Sequence, residues 1–115
     1  MQVCHLPRDP FVRKKELLRI VLQLIPQGYV TTYGSLARVI GTSPRAVGRL
    51  LSANEHLIAI PCHRVVMNDG SLGGFSLGQE VKRKLLLLEG VRFNGEKVSK
   101  KSMIKIDELL LGSTS

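Results

Sequence analysis

The stretch TYGSLARVIGTSPRAVGRLLS, from Thr32 to Ser52, predicts two short helices joined by a tight turn. Thr32 is placed to cap the first helix, and Gly41 is the kind of residue at which a helix readily ends. Ser43, followed by proline, repeats the start signal for a second helix over Arg45–Ser52. Two such helices predict a helix-turn-helix motif, although an ordinary helical hairpin would leave the same pattern.

The second of these helices has the features of a helix that reads DNA. Arg45 and Arg49 are four residues apart and therefore share one face. The small residues Ala46 and Gly48 beside them would let the helix backbone approach a groove closely. The chain has 17 lysines and arginines against 9 acidic residues, with a net charge of +8. This balance favours a nucleic-acid partner, with a merely basic surface as the alternative.

The flanking sequence predicts one domain over residues 1–115 that is mainly α-helical with short β elements. Asp9 and Pro10 open a helix before the pair, and Tyr29–Thr31 predicts a short extended piece. A later helix is expected to start at a capping box between Ser76 and Gln79 and to end before a glycine. Its predicted apolar face consists of Val81, Leu85 and Leu88. Residues 98–111 fit either a short strand and helix or an adaptable tail.

A second informative stretch, IAIPCHRVV over Ile58–Val66, places a cysteine, a histidine and an arginine in an apolar run. Pro61 cannot donate to a β ladder and marks a bend directly before Cys62. A thiol beside His63 suggests a nucleophile and its base. Neighbouring side chains on an extended strand face opposite ways, so their contact would need the bend or a water relay. A buried, inert cysteine is the alternative.

Charges in the later helix run against its dipole. Lys82, Arg83 and Lys84 crowd its first half, and Glu89 stands at its end, which reverses the usual preference. A phosphate backbone would account for the basic residues, and a histidine held near Glu89 would account for the acid. A solvated face is the alternative, since such placements are worth only about 0.3 to 1 kcal/mol.

The remaining signals concern the membrane and metals. No apolar run is long enough to span a bilayer, and the N-terminus lacks the apolar stretch of a secretory signal. We therefore expect a soluble, intracellular protein without membrane contact. Cys4-His5 and Cys62-His63 are two distant pairs that do not suggest the spacing of a tetrahedral zinc site, so we expect no metal and no cofactor.

Together, the segments YGSLARVIG, RAVG, IPCHRVV and FSLGQEVKRKLLLLEG resemble the DNA-binding, active-site domain of the O6-alkylguanine-DNA alkyltransferases, over residues 11–93. The resemblance implies a winged-helix-like helix-turn-helix fold. It implies a monomer that binds double-stranded DNA containing O6-alkylguanine through the minor groove, flips the damaged base and transfers the alkyl group irreversibly to its own cysteine. Its location would follow the DNA: cytoplasmic and nucleoid-associated in a prokaryote, nuclear in a eukaryote.

The resemblance also assigns catalytic roles to individual positions. Cys62 would accept the alkyl group, His63 would draw its proton through a water, and Glu89 would hold His63. Asn54 would brace the turn between the recognition helix and the active-site strand. Arg45 would enter the duplex in place of the flipped nucleotide.

Further positions are expected to contact DNA or the base. Tyr33 would press on the adjoining phosphate and help to rotate the base outwards. The other DNA contacts are expected from Ala46, Gly48, Arg49 and Lys82. The guanine pocket is expected to include Leu51, Val65, Phe75, Ser76 and Leu77, with Val65 and Ser76 lining it through their backbone groups.

The sequence also departs from the family pattern. Most members carry an extra N-terminal domain before this one. Phe75 stands where tyrosine is usual, which removes one hydroxyl contact. Leu77 replaces a small residue found in some members and would narrow the pocket, so we expect methyl lesions to be preferred to benzyl-sized ones.

Two other classes remain open at this point. Alkyltransferase-like proteins are similar single domains that bind and flip alkylguanine without transferring the alkyl group, and they signal to nucleotide excision repair proteins. They replace the cysteine, so Cys62 favours the enzyme. A helix-turn-helix regulator of promoters would leave Cys62, His63 and Glu89 unexplained.

Overall fold

The computed structural model describes residues 9–52 and 61–112, apart from the side chain of Phe11. Asn54, Cys4 and His5, which figured in the sequence predictions, lie outside the described residues. The helices and strands, in chain order, are α1 (Pro10–Leu22), β1 (Thr31–Thr32), α2 (Tyr33–Ile40), α3 (Pro44–Ser52), β2 (Val65–Val66), α4 (Gln79–Leu88), β3 (Phe93–Asn94), β4 (Lys97–Val98) and α5 (Ile106–Leu111). Short 3₁₀ helices cover Cys62–Arg64 and Lys100–Ser102.

The predicted helix starts around the central motif are confirmed by side-chain caps. The Asp9 carboxylate accepts a hydrogen bond from the amide of Val12, the third residue of α1, at 3.3 Å. The hydroxyl of Thr32 accepts one from the amide of Ser35 at 3.0 Å, and that of Ser43 accepts one at 3.1 Å. Gly41 ends α2 with a φ of 81°, in the left-handed region that suits glycine. Helices α2 and α3 therefore form the predicted helix-turn-helix.

Two parallel strands bring the cysteine segment against the start of α2. β1 pairs with β2 in the register Thr31 to Val65 and Thr32 to Val66. Buried residues of α1, α2 and α3 pack beneath this pair, together with Cys62 and Val65, in the larger apolar core. Because β1 leads directly into α2, the pairing places the first turn of α2 beside Cys62.

Residues 92–112 form a hairpin and a short helix, which settles the choice left open for 98–111. β3 and β4 are antiparallel, and the smaller core contains Val98 of β4 and Leu86 of α4. α5 packs on α2. The expectation of a mainly helical, winged-helix-like fold with short strands is confirmed.

The predictions for α4 need correction at its start and along its buried face. The capping box is wrong, because the N-cap residue is Gly78 and the side chain of Gln79 donates instead to the carbonyl of Gly73 at 2.9 Å. The predicted apolar face is also wrong, since Leu88 is 83% exposed whereas Lys82 is fully buried. The helix is rotated so that the lysine stem, not the last leucine, packs inwards.

The extended strand expected over residues 58–66 is only partly present. Residues 58–60 lie outside the described part, and residues 62–64 form a 3₁₀ turn, so β2 covers only Val65–Val66. Within the described residues, no helix combines the length and the apolar character that crossing a bilayer would require.

Candidate active site

The turn after Pro61 separates three adjacent side chains. In a 3₁₀ helix, with about three residues per turn, successive side chains point about 120° apart rather than in opposite directions. The turn is closed by hydrogen bonds from the amide of Arg64 to the carbonyl of Pro61 and from that of Val65 to the carbonyl of Cys62. Cys62 therefore lines a cavity, while His63 and Arg64 reach the end of α4.

Glu89, at the C-terminal end of α4, binds both of these neighbours. Nε2 of His63 lies 3.0 Å from Oε2 of Glu89. Arg64 donates from Nε to Oε1 at 2.9 Å and from a terminal nitrogen to Oε2 at 2.7 Å. Burial alone would raise the pKa of Glu89, but the hydrogen bonds and charges of Arg64 and His63 outweigh it and lower this pKa. Glu89 is thus an anion that fixes both partners.

The contact with Glu89 determines which nitrogen of His63 can act as a base. A carboxylate accepts hydrogen bonds, so in the neutral imidazole Nε2 carries the proton and Nδ1 has the free lone pair. Nδ1 is buried and, within the described part of the chain, has no hydrogen-bond partner. The proton of Cys62 could therefore pass to Nδ1. The relay through water remains a prediction.

Cys62 lies at a cavity of about 590 Å³, a volume within the usual range for small-molecule sites. Only 6% of the surface of Cys62 is exposed. The wall combines the start of α2, helix α3 and the loop before α4. Its residues are Tyr33, Pro44, Arg45, Gly48, Leu51, Ser52, Cys62, Met67, Gly74, Phe75 and Ser76.

Tyr33 contributes a neutral hydroxyl to this wall. Burial, together with the nearby Cys62, raises the pKa of Tyr33, so the phenol keeps its proton. Its ring is packed against the opposite loop: a Cβ added to Gly73 would lie 3.3 Å from the Tyr33 hydroxyl oxygen. Gly73 also has a φ of 72°, so a side chain there would be strained as well as crowded.

The phosphate contact predicted for Lys82 is wrong. Its side chain is fully buried, and Nζ donates to the carbonyl oxygens of Leu72 and Gly74. Nζ also lies 6.0 Å from the centre of the Tyr33 ring. Burial lowers the pKa of Lys82 to about 8, against the opposing effect of Cys62. The lysine therefore supports the loop that forms the cavity wall and cannot meet a phosphate.

The structure groups most of the other predicted residues. Arg45 and Gly48 of α3 line the cavity, and a Cβ added to Gly48 would meet no atom within 4 Å. Arg49 is exposed on the same helix, and Ala46 is half-buried. The space beside Gly48 would allow close approach of another molecule to α3.

The predicted pocket residues divide into two groups. Leu51, Phe75 and Ser76 line the cavity, and the Phe75 ring meets His63 edge-on with a centroid distance of 6.4 Å. Val65, which was expected to contribute its backbone groups, is not among the residues that line the cavity, and its side chain is buried in the larger core. Leu77 does not line it either and is 51% exposed. The prediction that Leu77 narrows the pocket is wrong, and the expected preference for methyl lesions loses that basis.

Sequence reasoning missed the role of Arg64. The misplaced Glu89 at a helix C-terminus signalled a cationic partner, and the histidine was inferred to fill this role alone. Arg64 makes more contacts with Glu89 than the histidine does, and it also donates to the carbonyl of Ile25 at 2.9 Å. In residues 9–52 and 61–112, no three side chains of the metal-binding types come together as a metal site.

The chain is similar to a known protein family and to several curated proteins. The family model described as 6-O-methylguanine DNA methyltransferase, DNA binding domain, matches residues 13–91. A protein of Pyrobaculum aerophilum named methylated-DNA--protein-cysteine methyltransferase is 59% identical over 66 residues, which cover 57% of this chain and 45% of that protein. The chain spans less than half the length of such curated relatives.

Two solved structures extend the comparison. Mycobacterium tuberculosis OGT in complex with DNA is 38% identical, with a TM-score of 0.63 over 66% of this chain and 48% of that chain. S. pombe Atl1, in complex with damaged DNA containing O6-carboxymethylguanine, shares the fold with a TM-score of 0.66 at 24% identity, over 91% of this chain and 99% of that one.

Proposed function

Because the match over residues 13–91 assigns the chain to the 6-O-methylguanine DNA methyltransferase family, we propose that it repairs DNA by transferring an alkyl group from O6 of guanine to Cys62. The observation that carries this proposal is the cavity, which is lined both by Cys62 and by Arg45 of the proposed recognition helix α3. A flipped base could thus reach the sulfur while the helix stays in the groove.

The proposed reaction is a single displacement at the alkyl carbon. The Cys62 proton passes through a water to Nδ1 of His63, and the thiolate sulfur attacks the carbon attached to O6. The S–C bond forms as the C–O bond breaks, and the electron pair of that bond leaves with the guanine. The guanine anion then takes up, through solvent, the proton that His63 received from Cys62, and the neutral hydroxyl of Tyr33 in the cavity wall can donate a hydrogen bond to the leaving guanine. The thioether is stable, so each chain acts once.

Glu89 contributes by stabilising the imidazolium that forms when His63 takes the proton. Its lowered pKa keeps it ionised throughout the neutral range. The closest analogy in physical terms is the carboxylate that orients a catalytic histidine in a hydrolase triad. Transfer should therefore depend on Glu89 as well as on Cys62 and His63.

The proposed DNA partner is double-stranded and is engaged through the minor groove by α3, with one protein chain per lesion. Arg45, exposed at the start of α3, would fill the space left by the flipped nucleotide. The net charge of +8 supports binding to phosphates, and affinity should fall steeply with salt. The protein would act where the chromosome is, in the nucleoid or the nucleus.

The decisive experiment is intact-mass analysis after incubation with duplex DNA that contains O6-methylguanine. One added methyl group per chain, mapped to Cys62 by peptide analysis, would support the proposal. Cys62→Ala should bind the same DNA and gain no mass.

Arg45→Ala should lose transfer more than it loses binding to undamaged DNA, and unchanged transfer kinetics would refute the role of Arg45.

The same experiment tests the other candidate, a lesion-binding protein that signals to excision repair. This second candidate is retained because the fold resembles that of S. pombe Atl1 over 91% of this chain. Tight binding to lesion DNA with an unmodified Cys62 would favour that function and refute transfer.

A further inference from the structure

The segment after Val91 lies beyond the residues matched by the family model, yet it is joined to the catalytic half of the molecule. The backbone of residues 102–104 runs beside the start of β1. The amide of Val30 donates to the carbonyl of Ser102, and the amide of Ile104 donates to the carbonyl of Val30, both at 2.8 Å. The hydroxyl of Thr31 donates to the carbonyl of Ile104 at 2.8 Å. This segment therefore extends the parallel pair on its outer side.

Beyond it, Ser35 of α2 and Asp107 of α5 form a reciprocal pair of hydrogen bonds. The hydroxyl of Ser35 donates to Oδ1 of Asp107 at 2.5 Å, and it accepts from the amide of Asp107 at 3.0 Å. Arg38, one turn further along α2, donates to Oδ2 at 3.3 Å. Ser35 is only 2% exposed, so its hydroxyl depends on this one partner residue. We refer to the pair Ser35–Asp107 as the clip.

The clip grips the first turn of α2, and that turn carries Tyr33 into the cavity. Ser35 and Tyr33 are separated by one residue, so a shift of the turn at Ser35 moves both. Helix α2 also packs on α3, which carries Arg45. The clip therefore supports Tyr33 directly, through the first turn of α2, and Arg45 indirectly, through the packing of α2 on α3.

We propose that Ser35 and Asp107 are positioning residues for transfer, because the clip holds α2 so that Tyr33 stands at the cavity wall beside Cys62. The inference rests on the proposed function, since its consequence appears as a rate of transfer. The hydrogen bond that the Ser35 hydroxyl donates lowers the pKa of Asp107, with burial opposing and Arg38 assisting, so the carboxylate is ionised at neutral pH. A displacement of about 1 Å at a reacting site can cost about a hundredfold in rate.

The chain contains a matched control for the same chemistry. Asp69 accepts hydrogen bonds from the amide and the hydroxyl of Ser71 at 3.0 and 2.7 Å, and Lys97 lies 3.4 Å away. This second group also combines an aspartate, a serine and a basic side chain. It lies in the turn before the cavity loop, and the side chains of Asp69 and Lys97 are 60% and 57% exposed.

The test uses the full chain with the substitutions Ser35→Ala and Asp107→Asn, alone and combined, and with Asp69→Asn and Ser71→Ala as controls. Two rates are measured for the folded protein. One is single-turnover transfer from duplex DNA containing O6-methylguanine, and the other is the reaction of Cys62 with iodoacetamide, which needs neither DNA nor a flipped base. Circular dichroism gives the folded fraction. Asp107→Asn preserves the shape of the side chain, so this variant carries the test if the Ser35→Ala protein does not fold.

We expect transfer to fall about tenfold or more in each clip variant, with the double variant no slower than the worse single one, since the two residues act as a unit. The iodoacetamide rate should change less than about twofold, and the control variants should transfer like the wild type. Equal losses of both rates, or wild-type transfer in the clip variants, would overturn the inference alone. A wild-type protein that transfers no methyl group would overturn the proposed function, and the clip's role in transfer with it.

Discussion

Two carboxylates, Glu89 and Asp107, are each bound by an arginine and by one other side chain, but the two arginines differ. Arg64 grips both oxygens of Glu89, at 2.9 and 2.7 Å, and its side chain is 16% exposed. Arg38 makes one contact with Asp107 at 3.3 Å, and its side chain is 68% exposed. Glu89 therefore relies on its arginine, whereas Asp107 relies mainly on Ser35.

The difference between the two carboxylates follows from how far each arginine is exposed to water. A forked, mostly buried arginine pair loses hydration on both sides and leaves a costly charge if one partner is removed. An exposed arginine can return to water at little cost. The lowered pKa of Asp107 has the Ser35 hydrogen bond as its largest cause, in agreement with this division. The Glu89 contact is thus held mainly by charge, whereas the clip is held mainly by a hydroxyl group.

The largest effect should come from Glu89→Gln. Arg64 would remain mostly buried without its anion, which should lower the free energy of unfolding by about 3 kcal/mol. The loss of the anion that supports His63 should also slow transfer by about a hundredfold or more. Urea denaturation and single-turnover kinetics measure the two effects. Glu108→Gln, which alters an exposed carboxylate 3.9 Å from Lys105, is the control and should change neither. A stable Glu89→Gln protein would remove the contrast with Asp107.

A smaller effect is expected from Arg64→Lys. Lysine keeps the charge but cannot bind both oxygens of Glu89 and also reach the carbonyl of Ile25, so about 1 to 2 kcal/mol of stability should be lost. Urea denaturation again gives the value. If Arg64→Lys left the free energy of unfolding unchanged, the positive charge of Arg64 would be sufficient to hold Glu89. The two-pronged geometry of the guanidinium group would then contribute nothing to stability.

The two carboxylates also differ in how far sequence reasoning could reach them. Glu89 was singled out because an acid at a helix C-terminus is electrostatically misplaced, and the partner inferred for it, His63, is present. Asp107 carried no such signal, since an acid near the start of α5 is well placed and its partner is 72 residues away. Pairings at that separation depend on tertiary structure, which a single sequence does not contain.

Local signals were mostly reliable, with the capping box expected at Ser76 as the exception. The caps at Asp9, Thr32 and Ser43 and the left-handed Gly41 were all read correctly, because each involves contacts within four residues. Lys82 was misjudged because a lysine in a basic run is ordinarily solvated. Two backbone carbonyls of the cavity loop satisfy its ammonium group, and only the fold brings them there.

Acid should destabilise the folded chain by protonating Glu89 and Asp107, whose carboxylates both have a lowered pKa in the folded state. The unfolded chain then binds protons at a higher pH than the folded one, so stability that is present at neutral pH is lost as the pH falls through the lowered values. Unfolding free energies from about pH 6 to about pH 3 should fall more steeply for the wild type than for Glu89→Gln or Asp107→Asn. If the free energies of unfolding of the wild type and the variants fell in parallel with pH, neither ionised carboxylate would be stabilising the fold through its partners.

The smallest effect is expected from Arg38→Met, and it tests the comparison most directly. Because Arg38 is exposed and makes a single contact, its removal should cost no more than about 0.5 kcal/mol, and added salt should reduce even this. Ser35→Ala, which removes a buried hydroxyl from the same carboxylate, should cost about 1 to 2 kcal/mol and should be insensitive to salt. Urea denaturation at low and high salt separates the two. If Arg38→Met cost as much as Ser35→Ala, the arginine would be holding Asp107, and both carboxylates would depend on charge.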